Sequence, residues 1–355
     1  ETSRAEASLR AVLKTYPEHQ DSAIDLARLL NATGRHEEAL SIFVGGRWPA
    51  PRLSLLEEQA RALKALERFD DCLEVRRRQA AMSPDNAAVG HNLAAALGDA
   101  GRHEDSEAAA RAVLAAGGQA PETWLVLGRA LQAAGRFDEA SEAMDQALAR
   151  RPDYLDALRD RAQLTWMRTA DASQATAVLD RAATGSRQAG AIRALKARVL
   201  EYAGDSRAAY DAVAKTGGDP QLEVAASIAA IRFDGDLALA HARKAAAIAP
   251  QAEPVQRALI EACLATGNAE EAGRALQPLM ARRPLDQGLL ALQWTVWKLM
   301  GDERAQQLYD YERMVAGWTI DTPPGWSSLE SYLCDLGDAL KRLHTLKTHP
   351  LDQSL

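Results

Sequence analysis

The chain has 355 residues, a formal net charge of −7, and 47% hydrophobic but only 5% aromatic residues. It contains no run of about 20 apolar residues, which excludes a membrane-spanning helix, and its negative charge argues against a nucleic-acid-binding surface, which would be basic. Three widely separated cysteines, Cys72, Cys263 and Cys334, exclude a disulfide framework and a zinc cage, so we expect a cytoplasmic location.

An internal repeat organises most of the chain. About 73 residues are alanine, the best helix former, and only three of them follow Met300, so the body is predicted to be helical and the tail to differ. A single residue between two helical stretches, here called the marker of its repeat, recurs every 31 to 35 residues. The marker is Glu67 in one repeat, Thr169 in another and glycine in the others. The glycine markers are Gly34, Gly101, Gly135, Gly204, Gly235, Gly267 and Gly301.

Small residues recur at two fixed distances from the markers. One lies five positions after most markers, and another lies seven positions before the first four. We predict that these positions face each other, so that the two helices of each hairpin pack closely. The residues after the markers are Ala39, Cys72, Ser106, Ala140, Ala209, Ala240 and Ala272, and those before them are Ala27, Ala60, Ala94 and Gly128.

Prolines mark the ends of several units. Pro84, Pro152 and Pro284 each lie 17 residues after a marker, and proline cannot continue the helix before it. Pro17 fits the same place. Residues 1–16 are therefore predicted to be the second helix of an earlier, truncated unit.

The unit around Gly135 resembles the tetratricopeptide repeat (TPR) almost position for position. The resemblance covers about residues 18–315 and is weaker from Asp153 onward. It implies an all-α fold, a right-handed superhelical solenoid of about nine helix-hairpin units plus a C-terminal capping helix, with the first helices lining a concave face. The matching residues are Trp124, Leu127, Gly128, Leu131, Gly135, Phe137, Ala140, Met144, Ala147 and Pro152.

Arginines recur six positions before several markers, where a TPR first helix faces the groove. The stripe predicts a ligand groove that binds carboxylates of an acidic peptide, because guanidinium groups bind carboxylates in bidentate fashion. The alternative is that the arginines pair with acids on neighbouring helices, such as Asp25 or Glu58. The arginines are Arg28, Arg61, Arg129 and Arg198, and Ala95 and Gln163 interrupt the series.

Two further polar residues, His91 and Asn92, lie on the first helix of the third complete unit. They could extend the groove by hydrogen bonding to a peptide backbone. The alternative is ordinary polarity of a helix surface.

No catalytic or metal-binding residue is predicted within the chain. His19, His36 and His103 each precede acidic residues, and a His-x-Asp pair supplies two ligands of an iron facial triad. These histidines lie at predicted helix starts, however, where acids meet the positive end of the helix dipole. The chain also has no Gly-x-Ser-x-Gly nucleophile elbow and no phosphate-binding loop.

The tail differs in composition from the repeats. Four of the seven tryptophans, Trp294, Trp297, Trp318 and Trp326, lie within residues 294–326 and resemble a cap on the last unit. An extended segment around Pro323 and Pro324 follows. One amphipathic helix is then predicted to end near His344, from the helical spacing of five leucines. These are Leu329, Leu333, Leu336, Leu340 and Leu343.

The last residues carry a second resemblance. Together with Pro323 to Trp326 and the Leu343-His344 helix end, the stretch from His349 to Leu355 resembles the entry into the catalytic domain of bacterial TPR-fused 2-oxoglutarate/Fe(II) oxygenases. The resemblance implies that Fe(II) and 2-oxoglutarate bind in a further domain, whose ligands are not in this chain. We accordingly predict a TPR-like array over residues 1–317, and a linker, a capping helix and the start of an oxygenase domain over residues 318–355.

Two functions fit these patterns. In the first, the array is the protein- or peptide-binding region of a 2-oxoglutarate/Fe(II)-dependent oxygenase and recruits its substrate or partner. In the second, it is a non-catalytic TPR scaffold or adaptor. Both predict a protein or peptide partner, with no nucleic acid and no membrane.

Overall fold

The computed structural model describes residues 2–44, 48 and 50–349, and this part of the chain contains helices and no β-strand. It forms two compact units, each made of several repeats: the first unit is Glu1–Pro152 and the second unit is Asp153–Leu355. The second unit begins where the repeat pattern becomes less regular. None of the helices in the described ranges is both long and apolar enough to cross a bilayer. The predicted array boundary at residue 317 stays a prediction.

The first unit is a stack of helical hairpins that begins with a single helix, α1, packed on α2. This confirms the helix predicted over residues 1–16. The hairpins are α2 with α3, α4 with α5, α6 with α7, and α8 with α9. The helices span Thr2–Thr15 (α1), Gln20–Ala32 (α2), His36–Ser41 (α3), Leu53–Ala65 (α4), Phe69–Met82 (α5), Ala87–Asp99 (α6), His103–Ala115 (α7), Pro121–Ala133 (α8) and Phe137–Arg150 (α9).

The second unit continues the same pattern of hairpins, from α10 with α11 to α18 with α19. One short C-terminal helix, α20, and one longer one, α21, complete the described part. The helices span Leu155–Thr169 (α10), Ala172–Ala183 (α11), Ala189–Tyr202 (α12), Ser206–Val213 (α13), Pro220–Ala230 (α14), Gly235–Ile248 (α15), Glu253–Ala265 (α16), Ala269–Arg282 (α17), Gln287–Leu299 (α18), Arg304–Leu308 (α19), Tyr311–Met314 (α20) and Leu329–Leu343 (α21).

The predicted small residues do lie at the contact between the two helices of a hairpin. In two hairpins a polar side chain lies at this contact. Ser106 Oγ donates to the carbonyl oxygen of Ala94 at 2.8 Å, and Cys72 Sγ approaches the carbonyl oxygen of Ala60 at 3.4 Å. In a third, a Cβ added at Gly128 would lie 3.3 Å from the carbonyl oxygen of Ala140. Backbones this close leave no room for a larger side chain, which explains why the two positions are small together.

The prediction was wrong for one small residue, Ala240, which does not lie at the helix contact. The spacing places Ala240 at the contact, but Ala240 is exposed, and Ala238 is fully buried in its place. The cause is that α14 has only 11 residues, so Gly235 is the first residue of α15 and not the turn before it. In the second helix of each hairpin, from α3 to α17, the buried small residue is the fourth residue counted from the helix start. These residues are Ala39, Cys72, Ser106, Ala140, Ala175, Ala209, Ala238 and Ala272.

The turn between the helices of a hairpin requires a left-handed backbone conformation in most units. Glycine takes it at Gly135, with a φ of 73°. Where the sequence has no glycine, Glu67 adopts a φ of 57° and Ala170 a φ of 54°, so Ala170, and not Thr169, is the turn residue of its unit. Side chains other than glycine adopt this conformation at a cost of about 1 kcal/mol or more.

The amphipathic helix predicted in the tail is present as α21. Its leucine side chains are largely exposed, however, and no residue of α21 is buried. Within the tail, Trp326 packs edge-to-face on Tyr332 and donates from Nε1 to Asp335 at 2.9 Å. Trp318 is 88% exposed. The tail residues Pro350 to Leu355, which carry most of the oxygenase resemblance, lie outside the described residues.

Enlarging a side chain at the hairpin contact tests this packing. Ala140→Leu is expected to lower the free energy of unfolding by about 1–3 kcal/mol, because α8 and α9 must move apart to fit the added carbons. Ala133→Leu makes the same change at an exposed position of α8 and is expected to change it by less than about 0.5 kcal/mol. Urea titrations followed by circular dichroism compare the two. Equal effects of the two variants would contradict the packing role of position 140.

Candidate functional site

Two of the predicted groove arginines meet at one buried carboxylate. Glu58 lies on α4 and is 2% exposed. Arg28, from α2, donates from Nε to Glu58 Oε1 at 3.2 Å, and Arg61, one turn further along α4, forms an ion pair with Glu58 Oε2 at 3.5 Å. The alternative interpretation, pairing with acids of neighbouring helices, therefore describes Arg28, whereas Arg61 pairs with an acid of its own helix.

Further hydrogen bonds fix the position of this carboxylate. Asn31 Nδ2 donates to Glu58 Oε2 at 3.2 Å and to the Glu58 carbonyl oxygen at 2.9 Å. Arg28 also contacts the exposed Asp25, from Nη1 to Oδ1 at 3.2 Å. A buried carboxylate is tolerated only when its charge is compensated and its oxygens are hydrogen-bonded, and both conditions hold for Glu58.

The pairing does not remove the two arginines from the surface. The side chain of Arg28 remains 54% exposed and that of Arg61 53% exposed. Each guanidinium has five N–H donors, more than the contacts with Glu58 and Asp25 use. Glu58 therefore orients two cationic groups on the surface of α2 and α4 and leaves them able to bind a further carboxylate.

The predicted residues His91 and Asn92 lie on α6 and are half-buried. His91 Nδ1 lies 3.2 Å from the hydroxyl of Thr123 on α8, so this histidine connects two neighbouring first helices. Burial lowers the pKa of His91, and its neutral ring is favoured near neutral pH. One ring nitrogen of His91 is therefore engaged with Thr123 inside the protein.

The remaining two arginines, Arg129 and Arg198, lie on other helices than the Glu58 cluster. This cluster consists of Glu58, Arg28, Arg61 and Asn31. Arg129 is exposed on α8 in the first unit, and each of the two arginines has an interaction partner. Arg198 lies on α12 in the second unit, where it lines a pocket together with residues of α14. The structure thus places the six predicted residues in three groups: Arg28 with Arg61, His91 and Asn92 with Arg129 on the next first helix, and Arg198 in the other unit.

Sequence reasoning missed a buried polar network in the second unit. Glu223 Oε2 lies 2.6 Å from His241 Nδ1, and His241 Nε2 lies 3.1 Å from the hydroxyl of Tyr210. Thr216 donates to the other oxygen of Glu223 at 2.5 Å. Burial would raise the pKa of Glu223, but the hydrogen bonds from Thr216 and His241 outweigh it and lower the pKa. These residues come from α13, α14, α15 and the turn between the first two. Tyr210 and His241 are 31 residues apart, which is one repeat, but the positions of Thr216 and Glu223 follow no repeat pattern.

The histidines that stand beside acids occupy helix starts, as predicted. His19 caps α2 by accepting from the backbone N–H of Ser22, and His36 and His103 are the first residues of α3 and α7. Within residues 2–44, 48 and 50–349, no three His, Cys, Asp or Glu side chains are grouped so that they could hold a metal ion. The described side chains therefore do not fit an Fe(II) centre.

The Glu58 cluster can be tested by removing one charge. Glu58→Gln is expected to lower the free energy of unfolding by about 1–3 kcal/mol, because the arginines lose their buried ionic partner. Asp25→Asn makes the same carboxylate-to-amide change at an exposed partner of Arg28 and is expected to change it by less than about 1 kcal/mol. Thermal and urea unfolding measure both variants. A Glu58→Gln variant as stable as Asp25→Asn would show that the cluster does not stabilise the α2–α4 contact.

Comparison with known protein families finds the tetratricopeptide repeat in four segments. The family models match residues 1–46, 91–140, 121–164 and 254–278. The second and third overlap the unit whose residues suggested the resemblance. No curated protein sequence matches the chain.

Solved structures with similar architecture include yeast Tom70, with 12% identity, a TM-score of 0.52, and coverage of 96% of this chain and 86% of that one. A chain of the APC/C hetero-tetramer Cut9–Hcn1 has 16% identity and a TM-score of 0.42, over 72% of this chain and 52% of that one. This chain thus spans about half the length of that relative. The human IFIT1 dimer with m7Gppp-AAAA has 17% identity and a TM-score of 0.44, over 88% of this chain and 77% of that one.

The likeness to Tom70 concerns the fold alone. Together with the four matched segments and the consecutive hairpins, it confirms the predicted fold class. The chain contains tetratricopeptide repeats and has the all-α hairpin architecture of a TPR solenoid.

Proposed function

We propose that the chain is a protein-binding repeat region that captures an acidic peptide segment on the first helices of its first unit. The observation that carries the proposal is the Glu58 cluster, which fixes two half-exposed arginines on α2 and α4. Repeats of the tetratricopeptide family suggest protein–protein interaction, and the cluster suggests the chemistry of the partner.

The fixed position of the arginines favours binding over a purely structural role. A free arginine on a surface loses side-chain entropy when it binds a ligand. Glu58 and Asn31 reduce that loss in advance, because they restrict Arg28 and the neighbouring turn of α4 before the ligand arrives. A ligand carboxylate would then complete the coordination of both guanidiniums in the geometry that arginine prefers.

The neighbouring first helices extend the same surface. Lys64 on α4 contacts Asp99 at the end of α6 at 2.5 Å, and the His91–Thr123 contact joins α6 to α8. We infer that a peptide bound at Arg28 and Arg61 continues along α6 and α8, where His91, Asn92 and Arg129 offer hydrogen bonds and a further positive charge.

Charge reversal tests the proposal. The double variant Arg61→Glu/Arg129→Glu is expected to lose a defined set of proteins recovered from a lysate of the source cells, measured by quantitative mass spectrometry. The control Arg77→Glu/Arg78→Glu makes the same change in charge at two exposed arginines of α5, a second helix, and should retain them. Both variants are first checked for unchanged thermal unfolding. Identical recovery by the two variants would contradict a binding role for the first-helix arginines.

A second candidate is that this region belongs to a 2-oxoglutarate/Fe(II) oxygenase, and it rests on the sequence resemblance of the tail. In that case Fe(II) and 2-oxoglutarate bind to residues other than those described, since these hold no suitable group of ligands. The two candidates share the partner-binding surface and differ only in what happens to the partner.

The intact mass of the native protein separates the two candidates. A mass that exceeds 38.3 kDa by about 15–25 kDa, the size of a small catalytic domain, is expected for the oxygenase. The purified native protein should then consume 2-oxoglutarate only when Fe(II) is present. A native mass close to 38.3 kDa would contradict this candidate and leave the scaffold.

We also propose that the protein works in a reducing compartment such as the cytoplasm. All three cysteines are free thiols, and Cys72 and Cys263 are buried in hairpin contacts. Burial raises the pKa of Cys72 and raises that of Cys263 to about 11, so both thiols are packed side chains of low reactivity.

A further inference from the structure

The turn between α10 and α11 is closed differently from most hairpin turns of the described chain. In seven other turns the left-handed residue donates its N–H to the carbonyl oxygen three residues before it, and the following residue donates to the carbonyl oxygen five residues before itself. These two bonds form the Schellman motif, which occupies the last carbonyl groups of a helix. The left-handed residues of the seven turns are Gly34, Glu67, Gly101, Gly135, Gly204, Gly267 and Gly301.

The α10–α11 turn forms the simpler left-handed motif. Ala170, its left-handed residue, donates to the carbonyl oxygen of Trp166, four residues before it, at 2.7 Å. The N–H of Asp171 donates to Oγ1 of Thr169 at 3.1 Å. The carbonyl oxygen of Met167, which a Schellman motif would use, is therefore left to accept from outside the hairpin.

The C-terminal segment of the chain takes this position. Lys347 and Thr348 donate their backbone N–H groups to the carbonyl oxygen of Met167, at 2.8 Å and 3.3 Å. Two successive N–H groups that converge on one point form a backbone cradle for an oxygen atom. Met167 is 6% exposed, and a backbone carbonyl group that is buried without a partner lowers stability. Leu346 and His349, on either side of the two donors, are half-buried.

This contact joins the two ends of the second unit. α10 belongs to the first hairpin of the unit, and α18 with α19 forms the last. In a repeat stack each hairpin contacts its neighbours in sequence, so the stack itself does not link its ends. The chain after α19 carries α21, none of whose residues is buried. The contact with Met167 therefore anchors a part of the chain that is otherwise exposed.

We propose that residues 345–349 are a strap, which docks on the α10–α11 turn and ties the segment after the last hairpin of the second unit to its first hairpin. The irregular turn makes the docking possible, because a Schellman motif would occupy the carbonyl oxygen of Met167. The strap limits the movement of the hairpins between α10 and α19 and fixes the position of α21. Since it depends on one acceptor oxygen, it can open while the hairpins stay folded.

A backbone substitution in the strap tests the contact in the full chain. Lys347→Pro removes the N–H donor, and Lys347→Ala is the matched control, because it shortens the same side chain and retains the donor. A spin label on Cys334, the exposed thiol of α21, is paired with a label on Ser173→Cys, at an exposed position of α11. Cys72 and Cys263 are buried and do not compete for the label. Double electron–electron resonance then gives the distribution of distances between the labels.

The strap predicts a narrow distribution in the parent chain and in Lys347→Ala, and a broad one in Lys347→Pro. The Thr348 amide, followed by NMR and corrected for the intrinsic rate of each sequence, should exchange about tenfold faster in Lys347→Pro than in Lys347→Ala, the effect of about one hydrogen bond. Thermal unfolding shows that each variant is folded. A broad distribution in the parent chain, or equal behaviour of the two variants, would overturn the proposal.

Restoring the regular turn tests why the strap docks there. Thr169→Ala/Ala170→Gly removes the hydroxyl that holds the N–H of Asp171 and places glycine at the left-handed position, so that the turn itself can bond the carbonyl oxygen of Met167. This variant should stay folded and broaden the distances between the labels as the proline variant does. Thr266→Ala removes the corresponding hydroxyl at the α16–α17 turn and should leave the distances narrow. Narrow distances in the restored turn would refute the role of Met167.

Discussion

Close approach of the two helices within each hairpin underlies the packing of the repeat array. The fourth residue of the second helix is small and almost fully buried in every hairpin from α2–α3 to α16–α17. In the α6–α7 hairpin the gap is so narrow that Ser106 reaches the backbone of Ala94 directly. Close pairing brings neighbouring first helices into contact, as α2 with α4 and α12 with α14. The candidate binding region around Arg28 and Arg61 is formed at the α2–α4 contact.

The repeat spacing, with the resemblance to the tetratricopeptide unit, predicted the fold but not every position in it. The spacing of small residues gave the hairpins because the contact recurs at one place in each repeat. It failed at Ala240, since a short α14 moves the register by two residues, which a fixed marker spacing cannot show. The helix α21 follows from its leucine spacing, yet its exposed leucines show that periodicity alone does not reveal what a helix packs against.

The candidate sites, like the fold, could be predicted from the sequence only in part. The arginine stripe, and Glu58 as a partner for it, could be read from the sequence, because both follow the repeat. The burial of Glu58 and the half-exposure of its two arginines could not be predicted from the sequence, because both depend on the distance between α2 and α4. The Glu223–His241 pair was missed because its environment arises from contacts that do not repeat. In each unit a buried acid, Glu58 in the first and Glu223 in the second, is held by hydrogen bonds from neighbouring elements.

Hydrogen–deuterium exchange of the full chain, with and without a captured partner, shows whether the first helices form the binding surface. We expect slower exchange on binding in α2 and α4, around Arg28 and Arg61, and little change in α3 and α5, the second helices of the same hairpins. Protection confined to α3 and α5, or spread equally over both helices of each hairpin, would contradict it. The comparison is internal to each hairpin, so a general stabilisation of the first unit cannot produce the predicted pattern.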